Sequence, residues 1–126
     1  RTQSHAVDLV SSFASFGDEV SISVGGQSSI ASASLLINAT SVGMNSSDMP
    51  VDPSVLHNRL TVLDAVYSPL ETSLLSAARA AGATVVDGLW MLVHQARHQQ
   101  KLWFNEFSDA SAMRLAAERE LSARRK

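Results

Sequence analysis

LTVLDAVYSPLETSLLSAARAAGATVVDGLWMLVHQA, residues 60–96, is the stretch that decides the fold. Leu60 to Val66 is apolar and β-branched and is closed by Tyr67, Ser68 and Pro69, which predicts a buried strand. The pattern then turns helical from about Glu71 to Ala81, with Gly82 placed to cap it. Ala83 to Val86 predicts another short strand. Gly88 opens the longest helical pattern, with Leu89, Leu92, Val93, Ala96, Trp103 and Phe107 expected on one face. Strands joined through a helix run parallel, because parallel neighbours need a long crossover and a helix usually supplies it. The stretch therefore predicts an α/β fold.

Working outward towards the start of the chain, Leu35, Leu36 and Ile37 read as a short buried strand that stops at Asn38. Val20, Ile22 and Val24 alternate with serines in strand fashion before Gly25 and Gly26. Ala6, Leu9, Val10 and Phe13 keep the spacing of one helix face, and Gly17 is expected to end that helix. Residues 43–59 carry Pro50, Pro53 and Asn45 and read as loop, with one helical turn near Ser54 to His57. Beyond the long helix, Asp109 is placed to N-cap a last helix, and Arg124, Arg125 and Lys126 suit its negative end. Four strands are thus expected in one open parallel sheet with flanking helices.

Composition excludes several kinds of function. The 126 residues hold ten Lys and Arg against twelve Asp and Glu, a net charge of −2 with 17% charged residues. That balance lacks the basic surplus a phosphate backbone demands, so no nucleic-acid partner is expected. Hydrophobic residues make up 45%, enough for the core of one domain. Without cysteine there is no disulfide, thiolate metal site or thiol nucleophile, which suits a reducing compartment. No apolar run approaches the ~20 residues that cross a bilayer, and residues 1–20 show no signal sequence, so a cytoplasmic protein with no membrane contact is expected. His94 and His98 are four apart, but no Glu follows the first as in an HExxH site. They read as surface histidines, and no metal site is expected. The chain opens at Arg1 rather than Met, which reads as a piece of something longer.

In open parallel sheets ligands bind beyond the carboxyl ends of the strands, here Asn38 to Gly43, Ala65 to Tyr67 and Asp87 to Gly88. The turn Asn38-Ala39-Thr40-Ser41 is small and hydroxylated, so a ligand could approach its backbone closely. By its own pattern it reads first as an ordinary Asx and Ser/Thr turn. Tyr67 can close an apolar wall and still reach a polar ligand, or be a plain strand-end aromatic. Asp64, inside a strand, needs buried partners and reads as structural. By their own pattern Met91 and Leu92 are core and Gln95 is a solvated helix residue.

Three segments carry a resemblance: INATSVGM at 37–44, LDAVYSPLET at 63–72 and GLWMLVHQA at 88–96. In this order and spacing they resemble shikimate dehydrogenase, over Arg1 to about Trp103 and with the family's final helix following. The resemblance implies an incomplete Rossmann-like open parallel sheet with flanking helices, ending in a long helix and a C-terminal helix. Residues 1–107 would form the C-terminal part of an NADP-binding domain. Residues 108–126 would form a helix that packs back towards an N-terminal substrate domain of the same protein. The implied cofactor is NADP, contacted by Arg1, Thr2, Thr40, Ser41, Ala65, Val66, Gly88, Met91 and Leu92. The implied substrate pair is shikimate and 3-dehydroshikimate, contacted by Tyr67 and Gln95. Arg1 and Thr2 would be the tail of an NRTxxRA signature that clasps the adenosine 2′-phosphate. His5 stands where the second arginine of that signature belongs, and Gln100 where a Phe is typical.

Some parts of such an enzyme lie outside these 126 residues. No GxGxxG pattern occurs. The general acid/base Lys and Asp of the family belong to its N-terminal domain, and the two lysines present, Lys101 and Lys126, are not placed to replace them. No residue here is assigned a catalytic role, and these residues alone are expected to be inactive. The expected activity of the whole, as monomer or homodimer, is reversible NADP-dependent oxidation of shikimate. The alternatives are an NAD-preferring quinate/shikimate dehydrogenase, which His5 suggests, and a non-catalytic nucleotide-binding module.

Overall fold

A computed structural model describes residues 3–13 and 20–123. Its helices are α1 (Gln3–Ser12), α2 (Ser73–Ala80), α3 (Gly88–Phe104) and α4 (Ala110–Ala123), and its strands are β1 (Leu35–Asn38), β2 (Thr61–Asp64) and β3 (Thr84–Val86). Short 3-10 turns cover Gln27–Ser32 and Pro53–Val55. The strands form one parallel sheet in the order β1-β2-β3. Ile37 stands beside Leu63 and Leu63 beside Val86, so every strand ends at the same edge.

Alternation along the strands sorts the sheet into two unlike faces. On one, Val62 joins Leu60, Leu74, Leu75 and Ala78 in the core, with Leu36 and Val85 packed against it. That apolar layer is what holds α2 on the sheet. Thr72 caps α2, its hydroxyl accepting from the Leu75 N–H at 3.3 Å. At the far end Gly82 has φ +79, the Gly82 N–H reaches the Arg79 carbonyl and the Ala83 N–H reaches Ala78. This is the Schellman closure that a glycine at this position favours. The last helix has its expected start, Asp109 accepting from the Ala112 N–H at 2.7 Å. Its expected basic end, Arg124 to Lys126, lies outside the described residues, as does Gly17.

Three expectations need correction. Val20 to Val24 forms no strand; these residues are exposed and irregular, and among the described residues the sheet has three strands, not four. An alternating pattern specifies a strand only where a neighbour takes up its backbone groups, and β1's outer edge does not accept this segment. Leu35 and Ile37 are not buried but 52% and 53% exposed, because β1 is an edge strand covered on one face only. The apolar face expected along the long helix is buried at Leu89 and Val93 but not beyond, leaving Leu92, Trp103 and Phe107 exposed. α3 stops at Phe104, where Asn105 takes a left-handed conformation, a cap that Asn tolerates better than most side chains. Phe107 folds back instead under the Arg97 guanidinium, 5.2 Å away.

Candidate active site

The turn after β1 is built on Asn38, which is buried. Its Nδ2 donates to Asp64 Oδ1 at 2.9 Å and to the Val42 carbonyl at 3.1 Å. Its Oδ1 accepts from the Thr40 hydroxyl at 2.7 Å and the Thr40 N–H at 3.1 Å. Asp64, fully buried, also accepts from the Val66 N–H at 3.0 Å and from the Thr72 hydroxyl at 2.6 Å. Three donors therefore compensate the carboxylate for its lost water, and the structural reading of Asp64 holds. This knot ties the β1 turn, the exit of β2 and the cap of α2 together. Thr40 has spent its one hydroxyl proton on Asn38 and also accepts from the Val42 N–H at 3.1 Å. Its hydroxyl shapes the turn, and a hollow of about 400 Å³ lies against Ala39, Thr40, Ser41 and Val42.

The third turn abuts the second by way of Gly88. A Cβ on Gly88 would lie 2.5 Å from the Ala65 carbonyl oxygen and 2.8 Å from that of Asp64. Only a glycine lets α3 start this close to the end of β2. The helix's first amides are already occupied, however. Asp87 Oδ1 accepts from the Leu89 N–H at 3.1 Å and the Trp90 N–H at 3.2 Å. Asp87 therefore caps these amides, and Gly88 serves close packing. Arg114 of α4 adds its charge, Nη1 meeting Asp87 Oδ1 at 2.7 Å and Nε meeting Glu118 Oε1 at 2.8 Å. The Asp87 hydrogen bond holds the Arg114 proton even more firmly than usual, against the opposing pull of partial burial.

α3 and the second face of the sheet border an open cleft of about 790 Å³, lined by Leu63, Val86, Trp90, Met91, His94, Gln95, His98 and Gln99. Its floor is apolar and its helix wall carries amide and imidazole groups at successive turns. Of the residues singled out by sequence, Met91 and Gln95 lie here, together with His94 and His98. Thr40 and Ser41 border the hollow beside the β1 turn. Val66 is buried, Ala65 half-buried, Gly88 buried, and Tyr67 and Leu92 exposed, 41% in the case of Tyr67. Arg1 and Thr2 lie outside the described residues. Sequence reading missed Asp87 as a cap, although an Asp just before a helix is a cap signal. It also missed Arg114 and Trp90, because a pairing 27 residues apart leaves no local signal. Among the described residues no three His, Asp or Glu side chains gather to hold a metal. No described helix is long and apolar enough to cross a membrane.

No protein-family model matches the chain. A shikimate dehydrogenase (NADP(+)) of Halobacterium salinarum is 45% identical over 108 residues, 79% of this chain. The chain matches the C-terminal portion of shikimate dehydrogenases. It spans 41% of the length of the Halobacterium protein. The crystal structure of shikimate 5-dehydrogenase from Thermus thermophilus in complex with NADP(H) and shikimate superposes with a TM-score of 0.83 at 32% identity. That likeness covers 94% of this chain and 43% of the other, and it bears out the Rossmann-like open parallel sheet with flanking helices. Quinate dehydrogenase from Corynebacterium glutamicum in complex with NAD has a TM-score of 0.76 at 37% identity, over 88% of this chain and 41% of the other.

Proposed function

We propose that these residues are the cofactor-binding C-terminal part of a cytoplasmic shikimate dehydrogenase, which oxidises shikimate reversibly to 3-dehydroshikimate with NADP. The observation that carries the reading is the contact between the three family-like segments. Asn38 bonds Asp64, and Gly88 abuts Ala65, so the segments share one sheet edge. In a parallel sheet that edge is where ligands bind. Residues 1–107 then belong to the cofactor domain, and residues 108–126 complete it beside the N-terminal substrate domain, as monomer or homodimer. The half-exposed Leu35 and Ile37 on the uncovered face support the presence of further protein there.

The residues at the edge suit the nicotinamide end of a dinucleotide. Ala65 and Gly88 keep the approach free of bulk, Met91 and Leu92 offer apolar surface, and Thr40 and Ser41 bound the small hollow beside them. The bound dinucleotide supplies the hydride chemistry. The pyrophosphate is not expected at α3, because Asp87 already fills that helix start. Gln95, in the cleft, can both donate to and accept from a substrate hydroxyl, and Tyr67, exposed just beyond β2, offers a phenol. The proton released from the alcohol goes to a base on the N-terminal domain, which has to come within about 3 Å of the reacting oxygen.

Initial rates of the full-length protein with shikimate and with quinate, each with NADP and NAD, test the reading. Shikimate with NADP is expected to be the best pair. No rate with any pair would overturn the proposal. A second reading, quinate oxidation with NAD, draws on the likeness to quinate dehydrogenase and on His5, and a best rate with quinate and NAD selects it.

A further inference from the structure

Arg114 meets the start of α3 at two points, and a third contact within α4 fixes its own orientation. Its Nη1 lies 2.7 Å from the carboxylate that caps the helix, its guanidinium stacks 4.6 Å over the Trp90 ring, and its Nε is fixed by Glu118 at 2.8 Å. The pairing is largely shielded, the two side chains being 17% and 22% exposed, so solvent screens it less than a surface pair. One carboxylate oxygen, Asp87 Oδ1, serves the Leu89 N–H, the Trp90 N–H and Arg114 together. Trp90 is thus gripped at both ends, its backbone by Asp87 and its indole by Arg114. The same indole forms a wall of the cleft that Met91 and Gln95 line.

We propose that Arg114 is a positioning residue that fixes the first turn of α3 through Asp87 and Trp90, and thereby the orientation of Trp90 and Met91 in the cleft. Its effect on turnover rests on the proposed function, whereas its effect on the helix start does not. Without the guanidinium, Asp87 keeps its amides but loses the charge that aims its Oδ1, and α4 loses its latch on the helix. The loosening is confined to the first turn, because Leu89 and Val93 stay buried on the sheet side. A lysine can restore the charge at Asp87, but it cannot reproduce the planar fork that reaches Glu118 as well.

Amide hydrogen exchange at Leu89 and Trp90 tests the helix start. Arg114→Gln is expected to speed exchange at both by about tenfold, and Arg114→Lys to recover most of the protection. Glu118→Gln, which leaves the Asp87 contact in place, is expected to change these two amides little. Unchanged exchange in Arg114→Gln, or an equal effect from Glu118→Gln, overturns the proposal. Should Arg114→Gln fail to fold, Arg114→Met, which keeps the side-chain length without the charge, decides the same point against Glu118→Gln: protection lost only in the methionine variant supports the role, and protection kept in both refutes it. In the full-length protein, Arg114→Gln and Asp87→Asn should each lower kcat/KM for shikimate by about tenfold, and the double variant by no more than either alone. Losses that multiply in the double variant mean that Arg114 does not act through Asp87. If the unaltered protein oxidises neither shikimate nor quinate, the functional reading fails while the exchange result still decides Arg114.

Discussion

Replacing Gly88 by Ala probes the approach on which the site depends. The added methyl would meet the Ala65 carbonyl oxygen at 2.5 Å, the Ala65 carbonyl carbon at 2.7 Å and the Asp64 carbonyl oxygen at 2.8 Å. Carbon atoms pack comfortably at about 3.5–4 Å, so one side must yield by about 1 Å. All three obstacles are backbone. The Asp64 carbonyl lies in the central strand of the sheet, and the Ala65 N–H is held by the Asn38 carbonyl at 2.9 Å. No rotamer change relieves the overlap, so α3 must lift away. Overpacking of this kind costs about 1–3 kcal/mol, while replacing a helical glycine by alanine gains at most about 1 kcal/mol. The overlap wins, with a net loss of about 1–2 kcal/mol. At this chain length each kcal/mol lowers Tm by about 4 °C, so thermal unfolding followed by far-UV circular dichroism should show a fall of about 4–8 °C. A variant that melts at or above the parent temperature would refute the argument, because the start of α3 would then have room to spare.

Asp64→Asn keeps the size but replaces an acceptor oxygen by a donor amide among three donors, so urea unfolding should show a loss of about 2–4 kcal/mol; a loss under about 1 kcal/mol would mean that the knot carries little stability. Gln95→Ala in the full-length protein should raise the KM for shikimate by about tenfold and lower kcat, and unchanged kinetics would remove its assigned role. Asp52 is held below its ordinary 3.8 by hydrogen bonds from Ser54, chiefly through the side chain and then the backbone, against a small opposing effect of desolvation. Its folded-state value being the lower one, the stabilisation is present above 3.8 and disappears as pH falls through the depressed value, so a carboxyl resonance that titrates at or above 3.8 in an NMR titration would contradict the cap.

The elements legible in the sequence were those whose signals are local and mutually consistent. The helical pattern and Gly82 stop of α2 and the Asp109 cap each rest on neighbours a few residues apart, and the parallel run of β2 and β3 follows from the helix between them. What failed depended on chain far away. Val20, Ile22 and Val24 alternate like a strand, yet no strand borders them, and periodicity does not say whether a partner is at hand. Leu35 and Ile37 read as buried because an apolar run carries no mark of edge position. Within the site the three turns could be located from strand ends alone. The side chains that shape them could not, since Asp64 reaches Asn38 across 26 residues and Arg114 reaches Asp87 across 27.

The two halves of the sheet edge recognise a ligand by different physical means. At the β1 turn the polar groups are turned inward: Asn38 satisfies Thr40, Val42 and Asp64, so the turn is rigid before anything binds, and a ligand meets a preset shape. Such rigidity reduces the ordering cost of binding. At α3 the positive end of the helix is neutralised by Asp87, and Asp87 in turn by Arg114, so the field there favours an uncharged or apolar group over a phosphate. A nicotinamide ring suits that start, with Gly88 giving access and Met91 giving surface, whereas a diphosphate does not. The division places the anionic part of a dinucleotide away from α3. Asp87→Asn, which removes the neutralising charge, should then raise the affinity for inorganic phosphate while weakening the helix start, and an unchanged phosphate affinity would show that the cap is not what keeps anions from α3.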